Sequence, residues 1–261
     1  MKKTLFFIFC FSLFIIKAQQ YEEIKYLKTM SVPGAIVKTS FVLAIFPKEN
    51  TTSFIFEKVY NKQDSITTKT EDDGEKREIT NVSVIYEKEN KNIKRMEIQK
   101  DYKKKELKSY EPIYGEKDFY IASEALPKID WKIENEIKEL LGYNVQKATC
   151  NFRGRNYIAW FTPEINIPDG PWKFNGLPGL ILEISSNDSF IKFEAFQITL
   201  NKKGENVQDL FVKYPKVQQL TKVKRDELEK KNIEKQVKYI KSQNPDQSDA
   251  KIETNSLEVN N

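Results

Sequence analysis

The sequence contains no histidine. That absence excludes Ser-His-Asp and Cys-His catalysis, histidine-ligated zinc, copper or haem, and a histidine pH switch. Cysteine is nearly absent too, with only Cys10 and Cys150. Cys10 lies inside an N-terminal apolar run, without the small residue expected before a lipidated cysteine, so it reads as no anchor. Apolar runs are short. Only Leu5 to Ile16 is continuous, and nothing later approaches the roughly 18 residues of a membrane helix.

That run identifies residues 1–18 as an expected signal peptide. Lys2 and Lys3 form the charged start, and Ala18 is the small residue before a cut at Ala18–Gln19. The mature chain then has 243 residues and keeps Cys150 alone, so no internal disulfide is expected despite an oxidising compartment. Losing Lys2, Lys3 and Lys17 takes 43 basic residues to 40 against 38 acidic ones, a net +2. This near-balance removes the main argument for nucleic-acid binding. The expected location is exported: periplasmic, outer-membrane-associated or secreted.

Residues 21–128 read as strands and turns. Thr39 to Phe46 and Thr51 to Tyr60 are β-branched and aromatic, with Pro47 ending the first. Residues 61–78 look like a long polar loop, and strands resume at Val82–Tyr86 and Ile93–Ile98. The run Lys103-Lys104-Lys105 reads as a solvated turn. At Lys132–Leu141 the apolar residues Ile133, Ile137, Leu140 and Leu141 fall at helical spacing. Asp130 stands as N-cap and Gly142 as stop, which predicts an inserted helix.

Residues 145–153, 155–162, 179–185 and 190–200 are β-rich, with short links except the long 163–178, which favours an antiparallel meander. Residues 221–243 predict a charged, mostly exposed helix with Thr221 as N-cap and a narrow stripe of Val223, Leu228, Ile233, Val237 and Ile240. The expected organisation is a signal peptide (1–18), an antiparallel β domain (19–202), a charged helical extension (203–243) and a disordered tail (244–261). The expected fold class is mainly β: a curved antiparallel meander or half-barrel with the inserted helix near 132–141 covering its concave face. It is similar to the half-barrel of periplasmic lipoprotein-sorting carriers.

The least random stretch is 147–182. It holds Phe152-Arg153-Gly154-Arg155, Ala159-Trp160-Phe161-Thr162, Gly170-Pro171-Trp172-Lys173-Phe174 and Gly176-Leu177-Pro178-Gly179-Leu180-Ile181. This last hexapeptide, with Leu126-Pro127-Lys128-Ile129-Asp130-Trp131 upstream, resembles the GLPGLI family of secreted Bacteroidota proteins. Asn166 stands where that family more often has proline. The resemblance implies an envelope or secreted protein often associated with TonB-dependent outer-membrane receptors, with no established activity.

Leu177-Pro178-Gly179-Leu180 fits a type II turn. It reads either as a shaped connection into a buried strand or as a rigid loop presenting Trp172 and Phe174 to a partner. Arg153 and Arg155 at i, i+2 share one expected strand face, paired with Glu164, Asp169 or Glu183, or gripping an anionic ligand. The candidate binding residues are therefore Arg153, Arg155, Trp172, Phe174, Leu177 and Pro178. Trp131, Trp160 and Cys150 read as core. No metal or cofactor site is expected. Three functions remain: a non-enzymatic module binding a partner such as an outer-membrane receptor, a carrier of an apolar or amphipathic ligand, and a hydrolase built on Asp130 with Glu164 or Asp169 with Glu183.

Overall fold

A computed structural model describes residues 19–32, 35–48, 50–57, 83–86, 96–113, 118–204 and 216–243. The expected signal peptide, most of the polar 61–78 region's flanks and all of that region itself, and the 244–261 tail lie outside these residues. Among them are thirteen strands and one helix, in the order β1 (Gln19–Val32), β2 (Ala35–Phe46), β3 (Thr51–Glu57), β4 (Ser83–Tyr86), β5 (Glu97–Asp101), β6 (Glu106–Pro112), β7 (Phe119–Ala125), β8 (Lys132–Leu140), β9 (Tyr143–Phe152), β10 (Arg155–Thr162), β11 (Leu180–Ser186), β12 (Ile191–Gly204), β13 (Gln219–Thr221) and α1 (Lys222–Gln243). The mainly β class with a C-terminal helix is what the strand pattern predicts.

The strands form one curved, mostly antiparallel sheet ordered β13-β7-β6-β5-β3-β2-β1-β12-β11-β10-β9-β8, with β4 pairing β2 in parallel. Strands β8 to β12 are a meander whose links are short except for the connection between β10 and β11. The long β1 hydrogen-bonds β2 on one side and β12 on the other, running from Gln19 opposite Gly204 to Met30 opposite Ile191. This pairing joins the two halves of the chain.

The core is one large cluster with a small second one at Tyr110 and Ile121, and inward positions recur mostly with period two. Ile24 and Tyr26 of β1, Leu43 of β2, Phe54 of β3, Ile98 of β5, Val145 and Ala148 of β9, and Phe193 of β12 are all buried in the large cluster. Tyr26 reaches past β12, and its hydroxyl donates to the Ile181 carbonyl at 2.6 Å. Burial holds that phenol well above its usual pKa, with the negative charge of Asp169 adding to the effect.

The inserted helix is a correction. Residues 132–140 are edge strand β8, and Asp130 caps no helix. Ile133 and Ile137 are 45% and 64% exposed, so their four-residue spacing marks no buried helical face. The spacing arises from a bulge. Ile133 pairs Ala148 and Ile137 pairs Gln146, four steps on β8 against two on β9. Leu141 and Gly142 have φ of 52° and 80°, a two-residue primed turn into β9. The positive-φ glycine that reads as a helix stop serves a hairpin equally well. What packs against the curved sheet in place of a helix is the 163–179 connection between β10 and β11.

Helix α1 forms where expected, with the Thr221 hydroxyl accepting from the Lys224 amide at 3.3 Å as a cap. Its fully buried residues are ionic, while Leu228, Ile233 and Val237 of the expected stripe are half-buried. Arg225 pairs with Glu229 at 2.8 Å and reaches Glu111 of β6 at 3.6 Å, and all three are largely buried. Val223, from the expected stripe, is 68% exposed. No described helix is long and apolar enough to cross a membrane.

Candidate functional site

The motif-rich connection of residues 163–179 is a packed plug. Trp172 is 1% exposed and Phe174 0%. Phe174 meets Tyr157 edge-on at 4.8 Å and Trp172 at 5.3 Å, and lies 5.5 Å from Phe152. Trp131 closes the cluster at 6.2 Å, and its indole donates to the Asn175 carbonyl at 2.9 Å. Asn175 in turn donates to Pro127. The upstream LPKIDW segment and the GPWKF segment thus hold each other. Presentation of Trp172 and Phe174 on the surface is overturned, because the two rings are the centre of this aromatic cluster. Leu177 is fully buried, and of the six candidate binding residues only Pro178 is exposed.

The type II turn is also corrected. The Leu180 amide donates to Ile165, not Leu177, while the Gly179 amide donates to Leu177 at 2.8 Å. This is a three-residue turn around Pro178, whose fixed φ suits it. Gly179 runs under the end of β10. A Cβ there would sit 2.7 Å from the Thr162 carbonyl carbon and 2.9 Å from Pro163 Cα, closer than real atoms approach. The hexapeptide is therefore shaped by packing: a proline to set the turn, a glycine to pass backbone, and Leu180 and Ile181 at 0% exposure to enter the core.

Lys100 locks the plug from β5. Its ammonium is 1% exposed and donates to the Asp169 carboxylate, to the Gly170 carbonyl at 2.9 Å and to the Phe174 carbonyl at 2.7 Å. Three acceptors satisfy all three of its protons. Burial lowers the Lys100 pKa and the Asp169 charge opposes that shift. Tyr102 lies beside the pair, and burial together with the Asp169 charge holds its phenol far above the usual value. Among the described residues, neither the Tyr102 hydroxyl nor Asp169 Oδ2 makes a well-formed hydrogen bond. Sequence reasoning missed Lys100. Its only local signal is phase: it stands two residues from buried Ile98 and so faces the core.

The arginines are ion-paired, with partners other than those expected. Arg153 and Gly154, at φ 52° and 79°, are the primed turn between β9 and β10, so the two arginines do not share a strand face. Arg153 pairs with Glu124 of β7, which also takes Lys173 of the plug at 3.1 Å. Arg155 pairs with Asp188 and lies over the Phe190 ring at 4.3 Å.

The carboxylate pairs do not assemble. Glu164 accepts from the Asn144 amide at 3.0 Å, near the start of β9, while Asp130 borders Thr149 and Cys150 near its end. Five strand steps put these acids roughly 17 Å apart, beyond the reach of glycosidase-like carboxylates. Asp169 is buried against Lys100, and Glu183 pairs outward with Lys138 at 3.1 Å and Lys192 at 3.6 Å. Cys150 is a buried free thiol whose pKa burial pushes up to about 12, which suits a core residue. Among the described residues no group of three or more potential metal ligands gathers.

Two surface features remain. One is the outer edge of β8, which among the described residues pairs only β9 and shows Ile133, Ile137 and the adjoining Leu141 to solvent. The other is a cleft of about 430 Å³ beside the start of the same strand, bordered by Asp130, Lys132, Asn151, Asn156 and Asn187.

Residues 44–226 match the model of a family described as N-glycanase peptide, N-terminal domain. Two structures of PNGF-II, in the P21 and C2 space groups, resemble the fold with a TM-score of 0.52 each. They are 17% and 19% identical over 82% of this chain. The matched part is 34% and 33% of those chains, so this chain spans about a third of their length. No curated protein matches.

Proposed function

We infer the role of this chain from one premise: it belongs to the N-glycanase peptide N-terminal domain family. The reading is an exported, non-enzymatic module that docks a second polypeptide. The observation that carries it is the β8 edge, which among the described residues pairs β9 alone and shows Ile133 and Ile137 to solvent. Such an edge accepts an added strand, with main-chain hydrogen bonds for affinity and alternate side chains for choice. The partner chemistry is an extended segment whose apolar residues cover those two isoleucines. In PNGF-II the similar fold is part of a polypeptide about three times as long, so further chain accompanies it there. Export rests on residues 1–18. The GLPGLI resemblance makes an outer-membrane receptor the partner to test first.

Two features argue against the alternatives. The motif-bearing connection fills the curved sheet with Trp172, Phe174 and Leu177, where an apolar ligand would have to lie. The four acids considered for hydrolysis are separated, paired or buried, so N-glycan cleavage is not assigned to this chain. The test is a photocrosslinker at position 137 in living cells. A dominant adduct with an outer-membrane receptor, lost on Ile133→Lys with Ile137→Lys, supports the reading. No polypeptide adduct, or one indifferent to the two lysines, refutes it.

A further inference from the structure

Lys100 and Asp169 are each 1% exposed, and their contact joins β5 to the plug across 69 residues. The groups around them are arranged about the atoms that could react. The Gly170 and Phe174 carbonyls, at 2.9 and 2.7 Å, hold two of the Lys100 protons and leave the third toward Asp169. The Gly170 amide donates to Asp169 Oδ1 at 2.6 Å, where charge gathers if the carboxyl carbon is attacked. Oδ2 has no well-formed hydrogen bond among the described residues, nor has the hydroxyl of the neighbouring Tyr102. Residues 19–261 carry Cys150 alone, so no disulfide can lock them.

We propose that Lys100 and Asp169 condense to an amide, an isopeptide bond between the two side chains. Burial disfavours both charges and lowers the Lys100 pKa, so shifting one proton turns the ion pair into a neutral amine and a neutral acid. A desolvated lysine amine is a nucleophile. Here it is held against its target, and such fixed geometry is worth effective concentrations of roughly 10⁵–10⁸ M. Nζ bonds to Cγ, charge builds on Oδ1 under the Gly170 amide, and the Cγ–Oδ2 bond breaks. Tyr102, whose hydroxyl both donates and accepts, passes a proton to Oδ2. Of the three ammonium protons, two leave with Oδ2 as water and one stays on the amide nitrogen, facing the Phe174 carbonyl. Nothing is oxidised or reduced. Tyr102 is half-buried and precedes the exposed turn of Lys103, Lys104 and Lys105, which gives the water a way out. The ion pair is the reactant. Its product buries no charge and survives unfolding of the chain around it.

The test is mass spectrometry of the folded protein, expressed from the full sequence, first intact and then as tryptic peptides. The expected results are a mass lower than that of the unreacted chain by one water, no cleavage after Lys100, and a branched peptide joining the Lys100 and Asp169 segments. Lys100→Arg keeps a buried cation but forms no such amide, and should give no branch. The wild-type map decides the question even if that variant misfolds. Tyr102→Phe should keep the fold, read by tryptophan fluorescence, and lower the branched share at least about tenfold. Because Gly170 follows Asp169, a ring closed between these two neighbours would also release water. Water loss confined to an unbranched peptide holding Asp169 and Gly170, a branch at another lysine, or a folded chain of full mass would overturn the proposal. Equal branching in Tyr102→Phe would overturn the proton path assigned to Tyr102.

Discussion

Replacing Lys100 by methionine isolates what holds the plug in place. The substitution keeps an apolar stem and removes an ammonium that satisfies Asp169 and two backbone carbonyls at once. A buried carboxylate left without its partner costs about 3–5 kcal/mol. Each carbonyl deprived of its donor adds about 1–3 kcal/mol where nothing replaces it. The expected loss for Lys100→Met is therefore at least about 5 kcal/mol, a large share of a typical domain's stability. Asp169→Asn should cost about 3 kcal/mol by stranding the ammonium. The double variant removes both charges and should cost less than the two singles together, with a coupling of about 2–3 kcal/mol. Urea titration followed by tryptophan fluorescence measures all three, since Trp172 is buried in the plug. Additive losses, or a Lys100→Met loss below about 1 kcal/mol, would refute the reasoning that one ammonium anchors the connection.

Gly179→Ala should cost about 3 kcal/mol in the same assay, because the added methyl meets backbone that cannot step aside. Little loss would mean that the chain reroutes around Thr162. Alkaline pH should also destabilise the fold. Tyr26 and Tyr102 have raised pKa values when folded, so their contribution is intact below about pH 10 and is lost as pH rises further. The slope approaches roughly 2.7 kcal/mol per pH unit for two phenols. Lys100, with its lowered pKa, opposes this only up to about pH 10.4. Tyr26→Phe should halve the slope in urea midpoints above pH 10.5, and an unchanged slope would refute the assignment. Cys150 should react with a thiol reagent at pH 8 only after unfolding, given its burial and a pKa near 12. Prompt labelling of the folded protein would contradict that.

Strands β9 to β12 were legible because their alternation is regular and each turn carries its own chemistry. Asn187-Asp188 and Gly154 mark links that the structure keeps. Strand β8 was not legible. Its two-residue bulge turns a strand's spacing into Ile133-x-x-x-Ile137, which copies a helix. The aromatic cluster was visible as residues but not as an interior, since Trp172 and Phe174 sit among glycines and prolines that usually signal exposure. The ion pairs failed for a physical reason. Arg153 finds Glu124 across 29 residues and Lys100 finds Asp169 across 69. Charge pairing at such separations is set by how the sheet curves, and no local pattern records it.

The place of β1 in the sheet has a consequence for birth of the protein on the ribosome. This strand is finished at Val32, and its hairpin partner β2 follows at once. Its other partner, β12, ends at Gly204. At ordinary synthesis rates of roughly 5–20 residues per second, the intervening chain takes about 10–35 s to appear. For that interval one side of a fourteen-residue strand has no mate. A nascent chain built this way cannot complete its sheet piecemeal; its first strand waits for nearly its last, and anything that binds extended polypeptide has that interval in which to take hold.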